Sequence, residues 1–245
     1  KQEVNPESAR AAGQSFGHFQ AMLADVPCQL GETIKDFHNM EFRIEQLKQA
    51  CVEDRAGRFD EPVVQELLEQ LGKRAEAMTE AERLGREGKL PKRVCHCDTK
   101  VNNMLFSEDG SEVLCVIDLD TVMPGLAAND FGDSIRFGAN HCAEDEADLS
   151  KVNFSMELFE IYTKGFLQAA GEAFTTLEKQ TLPWGAKLMT MECGMRFLAD
   201  YLEGDHYFHI NYEQQNLNRA RTQFKLTADM EENWDAMQKI IEKYC

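Results

Sequence analysis

The 245-residue chain has no apolar run approaching the ~20 residues that a membrane-spanning helix needs, so no span is expected. Its opening residues, KQEVNPESAR, lack the charged-then-apolar layout of a secretory signal. Bases are scarce: 26 Lys and Arg face 43 Asp and Glu, for a formal net charge of −17. Such a surface repels a phosphate polymer, which argues against a nucleic-acid partner. It attracts small cations, although solubility alone accounts for it. None of the eight cysteines, Cys28, Cys51, Cys95, Cys97, Cys115, Cys142, Cys193 and Cys245, belongs to a C-x-x-C pair. A chain this long is not a disulfide scaffold, so reduced thiols and a cytoplasmic location are expected. Cys95 and Cys97 flank His96 without a second cysteine pair at zinc spacing, and they read as small buried apolar residues. Also missing is any G-x-G-x-x-G, and Gly72-Lys73 lacks the upstream glycine of a P-loop.

What is present is ordinary globular material, 43% hydrophobic and 28% charged, with no internal repeat. Ala12, Phe16, Phe19 and Leu23 form one helical stripe, with Ser8 as its expected cap. The clearest helix runs over residues 60–88: Pro62 suits the first turn, Val64, Leu67, Leu68, Leu71 and Met78 keep the period, and Gly85 and Gly88 end it. Between Arg93 and Ile117 the segments RVCHC, NMLF and VLCVID are short and extended, and the SEDGSE stretch between the last two carries Asp-Gly turn chemistry. TVMPGLAANDFGDS, residues 121–134, reads as loop. Helices resume after residue 148, with Asp148 or Ser150 as the expected cap and Pro183 near the start of a later helix. The expected fold class is α+β and mostly helical: residues 1–90 helical, 91–140 a small β-hairpin element with loops, 141–245 helical, all within a single unit spanning 1–245.

Two stretches carry chemistry: HCDTKVNNMLF from His96 and CVIDLDTVMPGL from Cys115. Asp98 and Asn103 share a loop, and Asp118 ends an apolar strand that a hairpin brings back beside it. A carboxylate with an amide oxygen is a hard, oxygen-only set that suits Mg²⁺. A second carboxylate held off the metal accepts a proton from a hydroxyl. Base, metal and phosphate are the parts of a phosphoryl transfer, which consists mostly of positioning and charge neutralisation.

His96-x-Asp98-x-x-x-x-Asn103 followed by Ile117-Asp118-x-Asp120 resembles the motifs of the aminoglycoside phosphotransferase and choline kinase superfamily, whose fold is protein-kinase-like. HCDTKVNNMLF, VIDLDTVMPGL, DFGDSIRFGAN, FGHFQAMLAD, ETIKDFHN and RFLADYLEGDHYF are similar to its N-acetylhexosamine 1-kinase branch. The resemblance implies Asp98 as catalytic base, and Asn103 and Asp118 as the Mg²⁺ ligands under the ATP phosphates. For His96 it leaves loop support or catalysis open, and for Asp120 metal assistance or loop support. Arg196 and Tyr207 would contact the sugar. His38 and Asn39 are weaker candidates for the pocket rim.

Asp130-Phe131-Gly132 spells the metal motif of eukaryotic protein kinases, yet it follows a loop rather than a strand. Asp130 reads instead as a buried acceptor for the catalytic loop's backbone, with Asp133 and Arg136 as a local pair. Asp205, His206 and His209 are too few for a transition-metal site. A complete kinase of this class has a smaller N-terminal lobe with a phosphate-covering strand-turn-strand and a lysine. The chain is expected to be the large lobe alone, with that lobe absent, inactive in isolation, and dimeric through the exposed floor of the nucleotide cleft. The expected function is ATP-dependent phosphorylation of the anomeric hydroxyl of N-acetylglucosamine or N-acetylgalactosamine. The alternatives are an aminoglycoside, choline or other small-alcohol acceptor, or a non-catalytic lobe.

Overall fold

One helix, α8 (Thr176–Glu203), runs through the middle of the structure, a computed structural model that describes residues 5–27, 30–108 and 112–245. A capping box starts it: Thr175 Oγ1 accepts from Glu178 N at 3.2 Å while the Glu178 carboxylate accepts from Thr175 N at 2.8 Å. Gly204 ends it in the left-handed region at φ 104°. Pro183 is buried inside the helix. Against α8 pack α2 (Met40–Glu53), α6 (Ala127–Gly138), α9 (Gln215–Glu232) and α10 (Trp234–Tyr244). A second layer is formed by α1 (Pro6–Met22) against α7 (Met156–Ala170). The protein is mostly helical, and among the described residues no helix is long and apolar enough to cross a membrane.

Helix starts differ from the expected ones where two cap-forming residues compete. Asn5, not Ser8, caps α1: Asn5 Oδ1 accepts from Ser8 N at 2.9 Å, while Ser8, at the third helical position, accepts from Asn5 N through its Oγ at 3.0 Å. Ser155 caps α7, and Asp148 instead caps a single 3₁₀ turn, Leu149–Lys151, accepting from Ser150 N at 3.1 Å. The stretch 60–88 is three helices rather than one: α3 (Pro62–Gly72), α4 (Ala75–Met78) and α5 (Glu80–Arg86). Arg74 sits at the first break, donating to Gln70 O at 2.9 Å and to Glu231 of α9 at 2.6 Å. That tertiary ion pair draws the chain off its helical path.

Among the described residues, four short strands make two antiparallel ladders. β1 (Arg93–Cys95) pairs with β4 (Met123–Gly125), and β2 (Met104–Phe106) pairs with β3 (Val113–Val116). The Asp-Gly turn expected between the last two falls on residues 109–111, outside the described residues. Residues 121–134 are not loop: they supply β4 and most of α6, so Asp130-Phe131-Gly132 lies in the first turns of a helix. Cys95 and Cys97 are buried with Met123 in a small apolar cluster, as expected of them. Among the described residues no group of three or more His, Cys, Asp and Glu side chains is arranged to hold a metal.

Glycines let helix backbones approach. A Cβ at Gly132 would lie 2.2 Å from the Gly185 carbonyl oxygen, and one at Gly185 would lie 2.1 Å from that of Ala128, so α6 and α8 cross in near-backbone contact. Gly13 and Gly165 do the same for α1 and α7. Gly132→Ala has to force backbones apart, which costs about 1–3 kcal/mol or more. The expected outcome is a melting temperature several degrees lower by calorimetry; an unchanged value would mean that the two helices do not touch here.

Candidate active site

After β1 the chain turns sharply, and Cys97 adopts a left-handed conformation, φ 63°. That conformation disfavours a side-chain-bearing residue by roughly 1–2 kcal/mol, so something must hold it. Asp130 does: its two oxygens accept from His96 N and Cys97 N, each at 2.8 Å. One helical turn on, Asp133 Oδ2 accepts from Thr99 N at 2.8 Å, and Ser134 Oγ donates to Thr99 O at 2.8 Å. Thr99 Oγ1 donates to Asp130 O at 2.6 Å. Burial pushes the Asp130 carboxyl up, opposed by these N–H donors and by Gln20, which donates from α1 at 2.6 Å. The loop is thus fastened to α6 residue by residue. Arg136 lies 3.4 Å from Asp133 and 2.8 Å from Glu144, which keeps it in place beneath.

Asp98 follows that fastening. Its Oδ2 accepts from Lys100 Nζ at 2.7 Å and from Asn103 Nδ2 at 2.8 Å, and the same Nδ2 lies 2.8 Å from the Asp98 carbonyl. With both amide hydrogens committed, the Asn103 Oδ1 has no partner among the described residues, and neither has Asp98 Oδ1. Ile117 N donates to Asn103 O at 2.9 Å, which sets Asp118 beside Asn103. Asp118 is exposed, takes φ 64°, and has no side-chain partner among the described residues. A strained non-glycine residue with a free carboxylate is a common signature of a functional position. Asp120, likewise exposed and unpaired among the described residues, sits in the 3₁₀ turn Leu119–Thr121. The side-chain oxygens of Asn103 and Asp118, uncommitted among the described residues, are of the hard kind that a cation such as Mg²⁺ takes.

His96 is fully buried between Phe16 and Phe19, each 5.6 Å away centroid to centroid. Its Nε2 lies 3.0 Å from Ile117 O, and its Nδ1 lies 3.3 Å from Asp98 N. Both nitrogens are spent on backbone, so the ring joins the two motifs and offers none for proton transfer. Thr121 Oγ1 adds a second tie, donating to His96 O at 2.8 Å.

A second cluster has the opposite character. Arg196, on α8, stacks against Phe37, Phe208 and Tyr207 at 5.4, 5.5 and 5.8 Å from the ring centroids. Its NH2 lies 3.5 Å from the Tyr207 hydroxyl. Asp200 shapes the loop that carries Tyr207, accepting from the N–H groups of His206, Tyr207 and Phe208 at 2.8–3.0 Å. Asp205 pairs with Arg58 at 2.5 Å, which is a structural role. Asn39 is a helix cap for α2, accepting from Phe42 N at 3.1 Å.

Two members escape a reading of motifs, Glu192 and Arg43. Glu192 is buried one turn before Arg196, with His38 Nδ1 at 3.1 Å from both carboxylate oxygens, Arg43 at 3.7 Å and Arg196 at 3.9 Å. His38 Nε2 lies 3.1 Å from Cys97 O, so this cluster is joined to the loop that carries Asp98. The available signal was an acid among apolar neighbours in LMTMECGMRF, four residues before Arg196.

Burial pulls the His38 imidazole down, but the Glu192 carboxylate outweighs it and the net direction is up from 6.5. Burial raises Glu192, and His38 with the two guanidiniums outweighs it, so its net direction is down from 4.5. A raised His38 stabilises the fold fully below its unfolded value and loses that contribution as pH climbs through the folded value. The urea-midpoint advantage of the wild type over His38→Gln is therefore expected to shrink from about pH 6 to about pH 8.5. An advantage independent of pH would mean that no protonated His38 pairs with Glu192.

Comparison with known proteins places this geometry. A choline kinase from Cryptosporidium parvum Iowa II has the same fold, with a TM-score of 0.59 and 14% identity over 97% of this chain and 68% of its own. An ethanolamine kinase from Plasmodium vivax superimposes with a TM-score of 0.54 and 14% identity over 89% of this chain and 59% of its own. At such identity the likeness is one of fold. The family model described as phosphotransferase enzyme family (APH) matches residues 2–171, more than half of the sequence, and the chain belongs to that family.

Proposed function

We propose that this chain carries the acceptor-binding and metal-binding part of an ATP-dependent kinase whose acceptor is a sugar hydroxyl, the anomeric hydroxyl of N-acetylglucosamine or N-acetylgalactosamine. The observation that carries the reading is the Asp98 carboxylate: one oxygen is fixed by Lys100 and Asn103, and the other is uncommitted among the described residues. Asp98 Oδ1 orients an incoming hydroxyl and takes its proton as the oxygen attacks. Asn103 and Asp118 hold Mg²⁺, which, when bound, neutralises charge on the ATP phosphates. Strands to cover the nucleotide are not among the described residues, and the reading requires a further lobe to supply them.

The acceptor side supports a sugar over a quaternary ammonium. Two guanidiniums and an imidazole surround a single carboxylate, so the cluster is net positive and repels a cation. The rings of Phe37, Tyr207 and Phe208 already face a guanidinium and do not form the empty aromatic cage that a methylated ammonium requires. Arg196 and Tyr207 instead present hydrogen-bonding groups that match hydroxyl and acetamido oxygens.

In the full-length protein, an ADP-release assay over N-acetylhexosamines, choline, ethanolamine and aminoglycosides is expected to show turnover with the first. Asp98→Asn should lower kcat by roughly 10³-fold or more, in line with the loss of a positioned base. Arg196→Met should raise KM for the sugar with a smaller effect on kcat. Higher turnover with choline would overturn the sugar reading and leave Asp98 standing; equal rates for wild type and Asp98→Asn would remove the base.

A further inference from the structure

Cys97, the left-handed residue directly before Asp98, is held at both of its backbone groups. Asp130 accepts its N–H at 2.8 Å, and His38 Nε2 lies 3.1 Å from its carbonyl oxygen. This second hold comes from 59 residues away, out of the turn that precedes α2. His38 is itself pinned on its far side, where Nδ1 lies 3.1 Å from both carboxylate oxygens of Glu192 on α8. The His38 side chain is 10% exposed and that of Glu192 2%, so little water reaches the pair.

The partners fix the chemistry of the ring. A carbonyl oxygen only accepts, so Nε2 carries a hydrogen. An ionised carboxylate only accepts too. Burial works against an ionised Glu192, but His38 and the guanidiniums of Arg196 and Arg43 outweigh it. Nδ1 therefore carries a hydrogen as well, and a ring with two N–H groups is an imidazolium. When that ring loses one proton, the surviving N–H goes to the carboxylate, because a hydrogen bond to a charged acceptor is about twice as strong as a neutral one. Nε2 then turns a lone pair on the Cys97 carbonyl, and the hold becomes a repulsion.

We propose that His38, as an imidazolium, is a positioning residue for phosphoryl transfer: it fixes the peptide between Cys97 and Asp98, and loss of its proton releases that peptide and slows turnover. The proposal rests on the reading of Asp98 as the base. Burial draws the ring down, while Glu192 and, from α6, Asp133 draw it up, for a net rise from 6.5. The guanidiniums of Arg43 and Arg196 face the same carboxylate, Asp36 acts on Arg43, and Glu82 repels Glu192. The full hold is thus present below 6.5 and is lost as pH climbs through the raised folded value.

Two measurements on the full-length protein test this. The first is the pH profile of sugar turnover. A displaced base loses rate steeply, so wild-type kcat is expected to fall about tenfold from near neutrality to about pH 9, with KM little changed. In His38→Gln the amide N–H still reaches the Cys97 carbonyl and has no proton to lose, so this fall is expected to vanish. A merely structural histidine would lower the profile without altering its shape. The second is nitrogen-15 NMR of the wild type, which needs neither turnover nor a variant. Both His38 ring nitrogens are expected to carry hydrogen at pH 6, and the Asp98 amide signal, whose peptide includes the Cys97 carbonyl, is expected to move in step with the ring as pH rises. An alkaline fall of equal size in His38→Gln, a ring with a single hydrogen at pH 6, or an Asp98 amide indifferent to the His38 titration would each overturn the proposal. Absence of turnover with any acceptor would sink the phosphotransfer reading instead, and the NMR titration then decides whether His38 holds the Asp98 peptide.

Discussion

A single buried carboxylate sets the geometry on which the site depends. Asp130 accepts the two N–H groups of His96 and Cys97, and those bonds hold a left-handed residue directly before Asp98. The carboxylate is itself fixed by lying in the first turns of α6, a helix that presses its backbone against α8. The position of Asp98 is therefore inherited, through three rigid connections, from the central helix of the structure. Thr99, Asp133 and Ser134 repeat the fastening one turn along, so the loop has no free hinge between β1 and Asp98. Catalytic groups need to be held to fractions of an ångström, and here the precision comes from hydrogen bonds to backbone.

The two halves of the site differ in sign. Around Asp98 and Asp118 uncommitted oxygens collect; around Arg196 and Arg43 positive charge collects, balanced by one buried Glu192. A chain with a net charge of −17 nonetheless concentrates cations on one wall. His38 bridges the two, with one nitrogen toward Glu192 and the other toward the carbonyl of Cys97. Through this imidazole the charge state of one wall bears on the loop that carries Asp98.

Much of this was legible in the sequence, for physical reasons. The H-x-D-x-x-x-x-N spacing and the apolar strand before Asp118 encode a hairpin, and the structure brings those residues together. The residues before Asp130 read as loop, which argued for a buried acceptor; they form β4 and the start of α6, and the carboxylate is buried all the same. What escaped depended on contacts distant in the chain. Arg74 breaks a strongly periodic helix because Glu231, 157 residues away, takes its guanidinium. TVMPGLAANDFGDS carries loop-like composition, yet its polar residues are helical because the catalytic loop supplies their partners. Ser8 and Asp148 have the chemistry of caps, but Asn5 and Ser155 hold the better places, and composition does not separate such competitors. Glu192 carries no motif, and its meaning arises only when His38, Arg43 and Arg196 converge on it.

The glycine seams have a mechanical consequence. Where Gly13, Gly132, Gly165 and Gly185 bring carbonyls into van der Waals contact with the facing helix, neither helix of a pair slides past the other without a collision of main chains. The pairs α1–α7 and α6–α8 are thereby locked in register, and a change at one helix of a pair is passed to the other as a main-chain shift.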